Sequence, residues 1–242
     1  MKYAIIAAGE GSRLTAEGIN EPKPLVCVGG EPLIDRLIRI FMDNGADEIV
    51  AICNDRTARV ASHLLDIQRD GLRGRPVPLR FRVKSTPSSM HSFYEISQWL
   101  EGAPFCLTTV DTIFREDEFR EYIICMRKAI ESGEADGVMG TTDYIDDEKP
   151  LYVDVDANGR IKAFLDSSDV VRHVSAGIYG LSPSAIKTLR DCVERGESRM
   201  RNFQRAILKD GYVLKAHNFT KVLDIDHASD IKKAEQFLLK GT

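Results

Sequence analysis

The sequence predicts an α/β fold, a mixed and mostly parallel sheet sandwiched by helices. Short apolar runs alternate with amphipathic segments throughout the first half of the chain, which is the pattern of βαβ units. Those runs are continuously apolar, as strands covered on both faces are. No Pro/Gly/Ser-rich linker, low-complexity tract or fixed-period repeat divides the chain, so residues 1–242 read as a single domain.

KYAIIAA at 2–8 reads as a buried strand, and PLIDRLIRIFMDNG at 32–45 as a helix with apolar residues at helical spacing, closed by Gly45. EIVAIC at 48–53 is a strand, TARVASHLLDIQ at 57–68 a helix and LRFRV at 79–83 a strand. SMHSFYEISQWL at 89–100 is the next helix and PFCLTTV at 104–110 the next strand. The second half changes character. Residues 135–142, 151–165 and 173–181 read as strands, the middle one folded on a hairpin turn at Ala157-Asn158-Gly159. Helices at 184–195 and 201–209 follow, then strands at 212–218 and 221–226 and a last helix at 228–239. Antiparallel strands from this half are expected to close back on the sheet.

In parallel α/β folds, ligands sit beyond the carboxyl ends of the strands. The first such end carries AAGEGSRL, whose glycines allow backbone N–H groups close to an anion and whose Arg13 can clamp a phosphate. Two phosphate-binding motifs fail against the letters. A P-loop needs Gly-Lys-Ser/Thr, and Gly-Lys never occurs. A dinucleotide fingerprint needs a third glycine where Leu14 stands, and an acid about twenty residues on at the end of the second strand, which here ends near Asp55. That weakens a dinucleotide-dependent oxidoreductase.

What remains is an order: a strand, AAGEGSRL, a gap, then EPKPLVCVGGEPLI. This resembles the sugar-phosphate nucleotidylyltransferases, with Gly9, Gly11, Ser12, Arg13, Lys23, Pro24, Leu25, Gly30, Pro32 and Leu33 in matching places. PFCLTTVDTIF, DVDANGRIKAF, VSAGIYGLSPSA and VLDIDHASDIKKAEQFL are similar to later segments of that family, so the resemblance covers most of the chain. It implies a Rossmann-like sheet of the nucleotide-diphospho-sugar transferase type. It also implies transfer of a nucleoside monophosphate from an NTP to a sugar phosphate or related alcohol phosphate, releasing pyrophosphate.

The resemblance assigns the parts. Ala8, Gly9, Gly11 and Ser12 would cradle the triphosphate, with Arg13 on the leaving pyrophosphate and Lys23 by the α-phosphate. The flanking prolines fix φ near −65° and bias the residue before each toward extended geometry, which would stiffen the backbone that carries Lys23. Asp111 would hold Mg²⁺, which takes one or two carboxylates plus phosphate oxygens and water. Asp224 and Asp226 point the same way by strand period and could reach one ion; alternatively Asp226 N-caps the last helix. Lys84 and Ser89 align with base-recognition positions, although Lys84 can equally belong to a solvated basic strand. Gly177 and Tyr179 fall on the acceptor side.

Two departures bear on the acceptor and the base, the second being Lys84 and Ser89 where thymine- or uracil-specific members typically carry Gln and Gly. Many hexose-1-phosphate members carry a sugar-phosphate lysine where this chain has Asp166-Ser167-Ser168, and the Glu148-Lys149-Pro150 that does occur precedes the hairpin. SSMHS together with DID is similar to small cytidylyltransferases that activate phosphocholine or related alcohol phosphates, an alternative reading. The basic run at 69–84 has six cations and one acid, a solvated loop and edge or a device for steering polyphosphates. A regulatory subunit that binds nucleotide without turnover is the remaining alternative; retention of Arg13, Lys23, Asp111 and Asp224 argues against it.

The net charge of −4 gives no support for nucleic acid or an anionic membrane as partner. No apolar run approaches a membrane span of about 20 residues, and the N-terminal apolar stretch is too short for a signal peptide. Five scattered cysteines without Cys-x-x-Cys read as buried free thiols in a reducing compartment. The expected setting is cytoplasmic, the expected partners an NTP and a phosphorylated small-molecule acceptor; assembly into a homo-oligomer is left open.

Overall fold

The computed structural model describes residues 1–146 and 149–239. Glu148 of the Glu-Lys-Pro sequence lies outside the described residues.

Strand β1 (Lys2–Ala7) runs into the glycine loop and the short helix α1 (Ser12–Ala16). A 3-10 turn, Lys23–Leu25, leads to a small β2 (Cys27–Val28)/β3 (Glu31–Pro32) hairpin and helix α2 (Leu33–Asp43). Then follow β4 (Glu48–Cys53), α3 (Ala58–Asp70), β5 (Leu79–Val83), α4 (Ser89–Ser97), β6 (Phe105–Thr109) and β7 (Thr112–Ile113). Helix α5 (Glu116–Glu131) leads to β8 (Gly137–Thr142), β9 (Tyr152–Val155), β10 (Ile161–Leu165) and β11 (Val174–Leu181). Helices α6 (Ala185–Glu194) and α7 (Met200–Lys209), strands β12 (Leu214–Phe219) and β13 (Leu223–Asp224), and helix α8 (Ala228–Leu239) complete the described chain.

The main sheet is mixed, as expected. β1, β4, β5 and β6 are mutually parallel, with β1 at their centre between β4 and β6. β11 joins antiparallel to β6 and links β8 and β9 to the parallel half, and β12 lies parallel to β8. The β9/β10 hairpin turns where Asn-Gly stands: Asp156 Oδ1 accepts from the N–H groups of Asn158 and Arg160 at 2.8 and 2.9 Å.

Strand period puts alternate residues on opposite faces. On β1, Tyr3, Ile5 and Ala7 enter one core with side chains from α2, α3, α5 and α8. Ala4 and Ile6 enter the other with α4, α6 and α7. Burial on both faces is why the strands read as continuously apolar. Three cysteines, Cys53, Cys106 and Cys192, are buried as expected; Cys27 and Cys125 are exposed.

Helix α5 has no counterpart among the expected elements. Its signal is present: Phe119, Tyr122, Ile123 and Met126 recur at helical spacing and are buried, and Glu116, Asp117 and Glu118 place negative charge in the first turn. Its buried face explains a glycine in β11. A Cβ on Gly180 would overlap Met126 Sδ and come within 2.6 Å of Tyr122 Oη. The Tyr122 hydroxyl is held by the carbonyl of Val138 at 2.8 Å and cannot easily yield. Gly180→Ala is therefore expected to destabilise the fold by about 1–3 kcal/mol, as overpacked cores do; a denaturant midpoint equal to wild type would refute that account.

Candidate active site

The register of the parallel strands assembles the site. Ala7 lies opposite Cys53 and Ile6 opposite Thr109, so the glycine loop, the turn after β4 and the segment carrying Asp111 emerge at one edge. Pairing of β13 with β7 then sets Asp224 opposite Thr112. The N–H of Ile225 donates to the carbonyl of Asp111 at 3.2 Å. Ile225 is buried while Asp224 and Asp226 on either side line the cleft, the alternation expected from strand period.

Gly11 packs directly on Lys23. Its φ is +63°, and a Cβ there would stand 3.0 Å from Lys23 Cβ, so only glycine fits without strain. Lys23 opens a 3-10 turn rather than an extended segment, which corrects the expected effect of Pro24. The stiffness comes instead from the proline rings and from two turn bonds, Leu25 N–H to Pro22 O at 2.7 Å and Val26 N–H to Lys23 O at 3.1 Å.

The Lys23 side chain is only 9% exposed, and its ammonium donates to Asp111 and, at 2.8 Å, to Asp226 Oδ1. Burial opposes its charge, but attraction to Asp111 and the hydrogen bonds to both carboxylates outweigh that and hold its pKa above the ordinary lysine value. Asp226 Oδ2 accepts from Arg13 Nη1 at 2.9 Å. Asp226 thus joins the two cations of the site, and its carboxylate is not the cap of α8. Asp230 does part of that work, accepting from the N–H groups of Asp226 and His227 at 3.2 and 2.8 Å. Glu17, from the loop after α1, accepts from the Ala228 N–H at 2.7 Å and contacts His227 Nδ1 at 2.6 Å. That bond holds Glu17 below and His227 above their ordinary ranges.

A cleft of about 580 Å³ gathers Ala8, Gly9, Gly11, Ser12, Arg13, Lys23, Ser89, Asp111, Asp224 and Asp226. Its far wall is the loop Ser85–Ser88 and the start of α4, where Ser88 Oγ caps the N–H of His91. Lys84 is not among the lining residues. It pairs with Glu95 at 2.7 Å, and that hydrogen bond, with a second from Arg82, holds the Glu95 carboxyl below its usual range. Much of the basic run is similarly engaged: Arg75 with Asp43, Arg73 with Glu31, and Arg80 and Arg82 on the Trp99 ring.

A second cleft, about 280 Å³, shares Arg13, Asp224 and Asp226 with the first. β11 contributes Val174, Ser175 and Ala176 to its wall. Gly177, with φ +70°, instead packs on the hydroxyls of Thr109 and Thr112. Tyr179 is buried in the core beside α4 and α7. Burial, with Asp224 and Asp111 adding and a Ser175 hydrogen bond opposing, raises its phenol to about 12. Asp166 turns to Arg201 and Arg205 of α7, at 2.6 and 2.9 Å. A lysine absent from the sequence-based assignments lines this second cleft: Lys233, paired with Asp146 and Asp230. Only its place on α8, next to Asp230, could have signalled it.

Among the described residues no three or more His, Cys, Asp or Glu side chains converge as a ready-made metal cage. The carboxylates of Asp111 and Asp226 are bridged by the Lys23 ammonium. Among the described residues, no helix is long and apolar enough to cross a membrane.

Comparisons with known proteins bear on the fold and the family. The chain is similar over 98% of its length to the bifunctional IPC transferase and DIPP synthase of Rubrobacter xylanophilus, 26% identical over 248 residues and 51% of that protein. A 53-residue stretch, 22% of the chain, is 36% identical to 21% of the glucose-1-phosphate cytidylyltransferase of Salmonella typhimurium. The chain thus spans about half or less of the length of these curated relatives. Among solved structures, a putative glucose-1-phosphate thymidylyltransferase from Bacillus anthracis superposes with a TM-score of 0.82 at 20% identity, covering 98% of this chain and 94% of that one. The inositol-1-phosphate CTP transferase from T. maritima does so with 0.73 at 18%, covering 98% and 97%. These two likenesses establish the Rossmann-like fold. The family model for nucleotidyl transferases matches residues 2–241, and the chain belongs to that family.

Proposed function

We propose that the protein transfers a nucleoside monophosphate from an NTP to a sugar phosphate, releasing pyrophosphate. The observation that carries this reading is the Lys23 ammonium, buried in the larger cleft and held by Asp111 and by Asp226, the latter also lining the smaller cleft. In-line displacement at the α-phosphorus needs a fixed cation at the reaction centre and separate seats for donor and acceptor. The larger cleft suits the NTP: glycine-loop N–H groups and Arg13 for the phosphates, the Ser85–Ser89 wall for the nucleoside. The smaller cleft suits the acceptor, and Lys233 is a candidate for its phosphate in place of the lysine missing at 166–168.

Asp111 and Asp226, whose carboxylates already share the Lys23 ammonium as a cation, are the residues that would hold one Mg²⁺, with phosphate oxygens and water completing the coordination and Asp224 lining the same cleft. Bound there, the ion would neutralise charge on the phosphates. The phosphocholine acceptor suggested by SSMHS is set aside, since the relatives are named for glucose 1-phosphate and inositol 1-phosphate. On this reading the enzyme works on cytoplasmic metabolites.

The test is a pyrophosphate-release screen of four NTPs against ring-sugar and cyclic-polyol phosphates with Mg²⁺. One base paired with one acceptor class is expected. Silence across every pair, from a folded chain, would overturn the proposal.

A further inference from the structure

The turn after β4 is tied to the glycine loop by one side chain. Asn54, 9% exposed, donates through Nδ2 to the carbonyls of Ala8 and Gly9 at 3.4 and 3.2 Å and accepts at Oδ1 from the Arg56 N–H at 3.2 Å. Its orientation is determined by these partners: two carbonyls require the amide NH₂, and an N–H requires the oxygen. In a trans peptide the C=O of one residue points opposite to the next N–H. Drawing the Ala8 and Gly9 carbonyls toward Asn54 therefore turns the N–H groups of Gly9 and Glu10 away from it. Asn54 lines a side pocket behind the loop and not the large cleft, so it acts on the loop from behind.

The same turn delivers a second arginine. Arg56 lines both the large cleft and the side pocket, whereas Arg13 lies where the large cleft meets the smaller one. Its guanidinium rests on Glu10, at 2.7 Å, with the two side chains 63% and 54% exposed. An exposed pair of this kind is weak, so Arg56 can exchange partners at little cost. Glu10 is a carboxylate inside a loop shaped for phosphates. Left alone it would repel an incoming polyphosphate. Paired with an arginine it stores a cation at the loop until phosphate oxygens take it in bidentate fashion.

We propose that Asn54 and Arg56 form a phosphate arm of the site: Arg56 binds the terminal phosphates of the donor and the pyrophosphate product, and Asn54 positions the glycine loop and the arm. This rests on the NTP-dependent reading above. Its test uses pyrophosphate with Mg²⁺, which needs no knowledge of the base, in calorimetric titrations of the full chain. Arg56→Ala should weaken pyrophosphate about tenfold or more, the effect of losing a charged hydrogen-bond donor. Glu10→Gln should move it the other way and tighten binding, because the competing carboxylate is gone. Asn54→Ala should weaken binding without altering its salt dependence, while Arg56→Ala should flatten that dependence. An Asn54 with a purely structural role would lower the unfolding midpoint and leave pyrophosphate affinity at 25 °C unchanged, which would sink its positioning role. Equal affinity in wild type and Arg56→Ala overturns the arm alone. A wild-type chain that binds no pyrophosphate overturns the arm and the functional reading together.

Discussion

Lys23→Met is expected to lower turnover by about a thousandfold, the upper range for removal of one preorganised charge from an active site, with little change in the fold. Methionine has nearly the same length and can follow the path of the lysine side chain from beside Gly11 toward the carboxylates. What it removes is the only cation that touches both Asp111 and Asp226 among the described ion pairs. Asp226 keeps Arg13, but Asp111 would face an incoming triphosphate without compensation. Initial rates of pyrophosphate release, with far-UV circular dichroism as the check on folding, decide the matter. Turnover within a few-fold of wild type would remove Lys23 from the reaction centre.

Asp111→Asn is expected to cost about a hundredfold in turnover, at the lower end of the same range, and to change its pH dependence. Burial pushes the Lys23 ammonium toward its neutral form; attraction to Asp111 and its hydrogen bond, with help from Asp226, hold it charged. Asparagine removes the larger of the opposing contributions and leaves the burial. The pKa of Lys23 must then fall, so the protonated lysine is lost at lower pH and the alkaline limb of the rate profile moves down. An unmoved limb would contradict the coupling. The same substitution should weaken Mn²⁺ binding in the presence of NTP, measured by water-proton relaxation. Metal affinity equal to wild type would place the ion elsewhere.

The two effects separate because Lys23 and Asp111 make each other useful. An isolated buried lysine would tend to neutrality, and an isolated carboxylate would repel the substrate. Lys23→Met leaves the Asp111 charge uncompensated, and Asp111→Asn leaves the buried ammonium with Asp226 alone, which is why single substitutions should be severe even though the intact pair contributes little to stability.

Much of the fold could be read directly. Continuous apolar runs meant strands covered on both faces, Asn158-Gly159 meant a hairpin, and the spacing over 228–239 meant a helix. Helix α5 escaped although its spacing was equally clear. The resemblance singles out the glycine loop, the Pro-flanked lysine and three aspartates, and all line one cleft. Lys84 aligns with a base-recognition position, but its side chain pairs with Glu95 and stands outside the lining of the large cleft. The fate of Asp226 stayed open because a strand-end acid before a helix has the same local pattern whether it caps that helix or faces a site.

The sequence by itself determined most of the elements and singled out the glycine loop after β1, because strand and helix periods, proline and glycine act over a few residues. Tertiary structure alone decided the partnerships: Lys23 with Asp111 across 88 positions, Asp226 with Arg13 across 213, Asn54 with the glycine-loop carbonyls across 45 and 46. Those contacts depend on which strands pair and in what register. Pairing of β1 with β4 in the main sheet and of β7 with β13 in a separate two-stranded sheet is a property of the whole folded chain, and no short segment carries it.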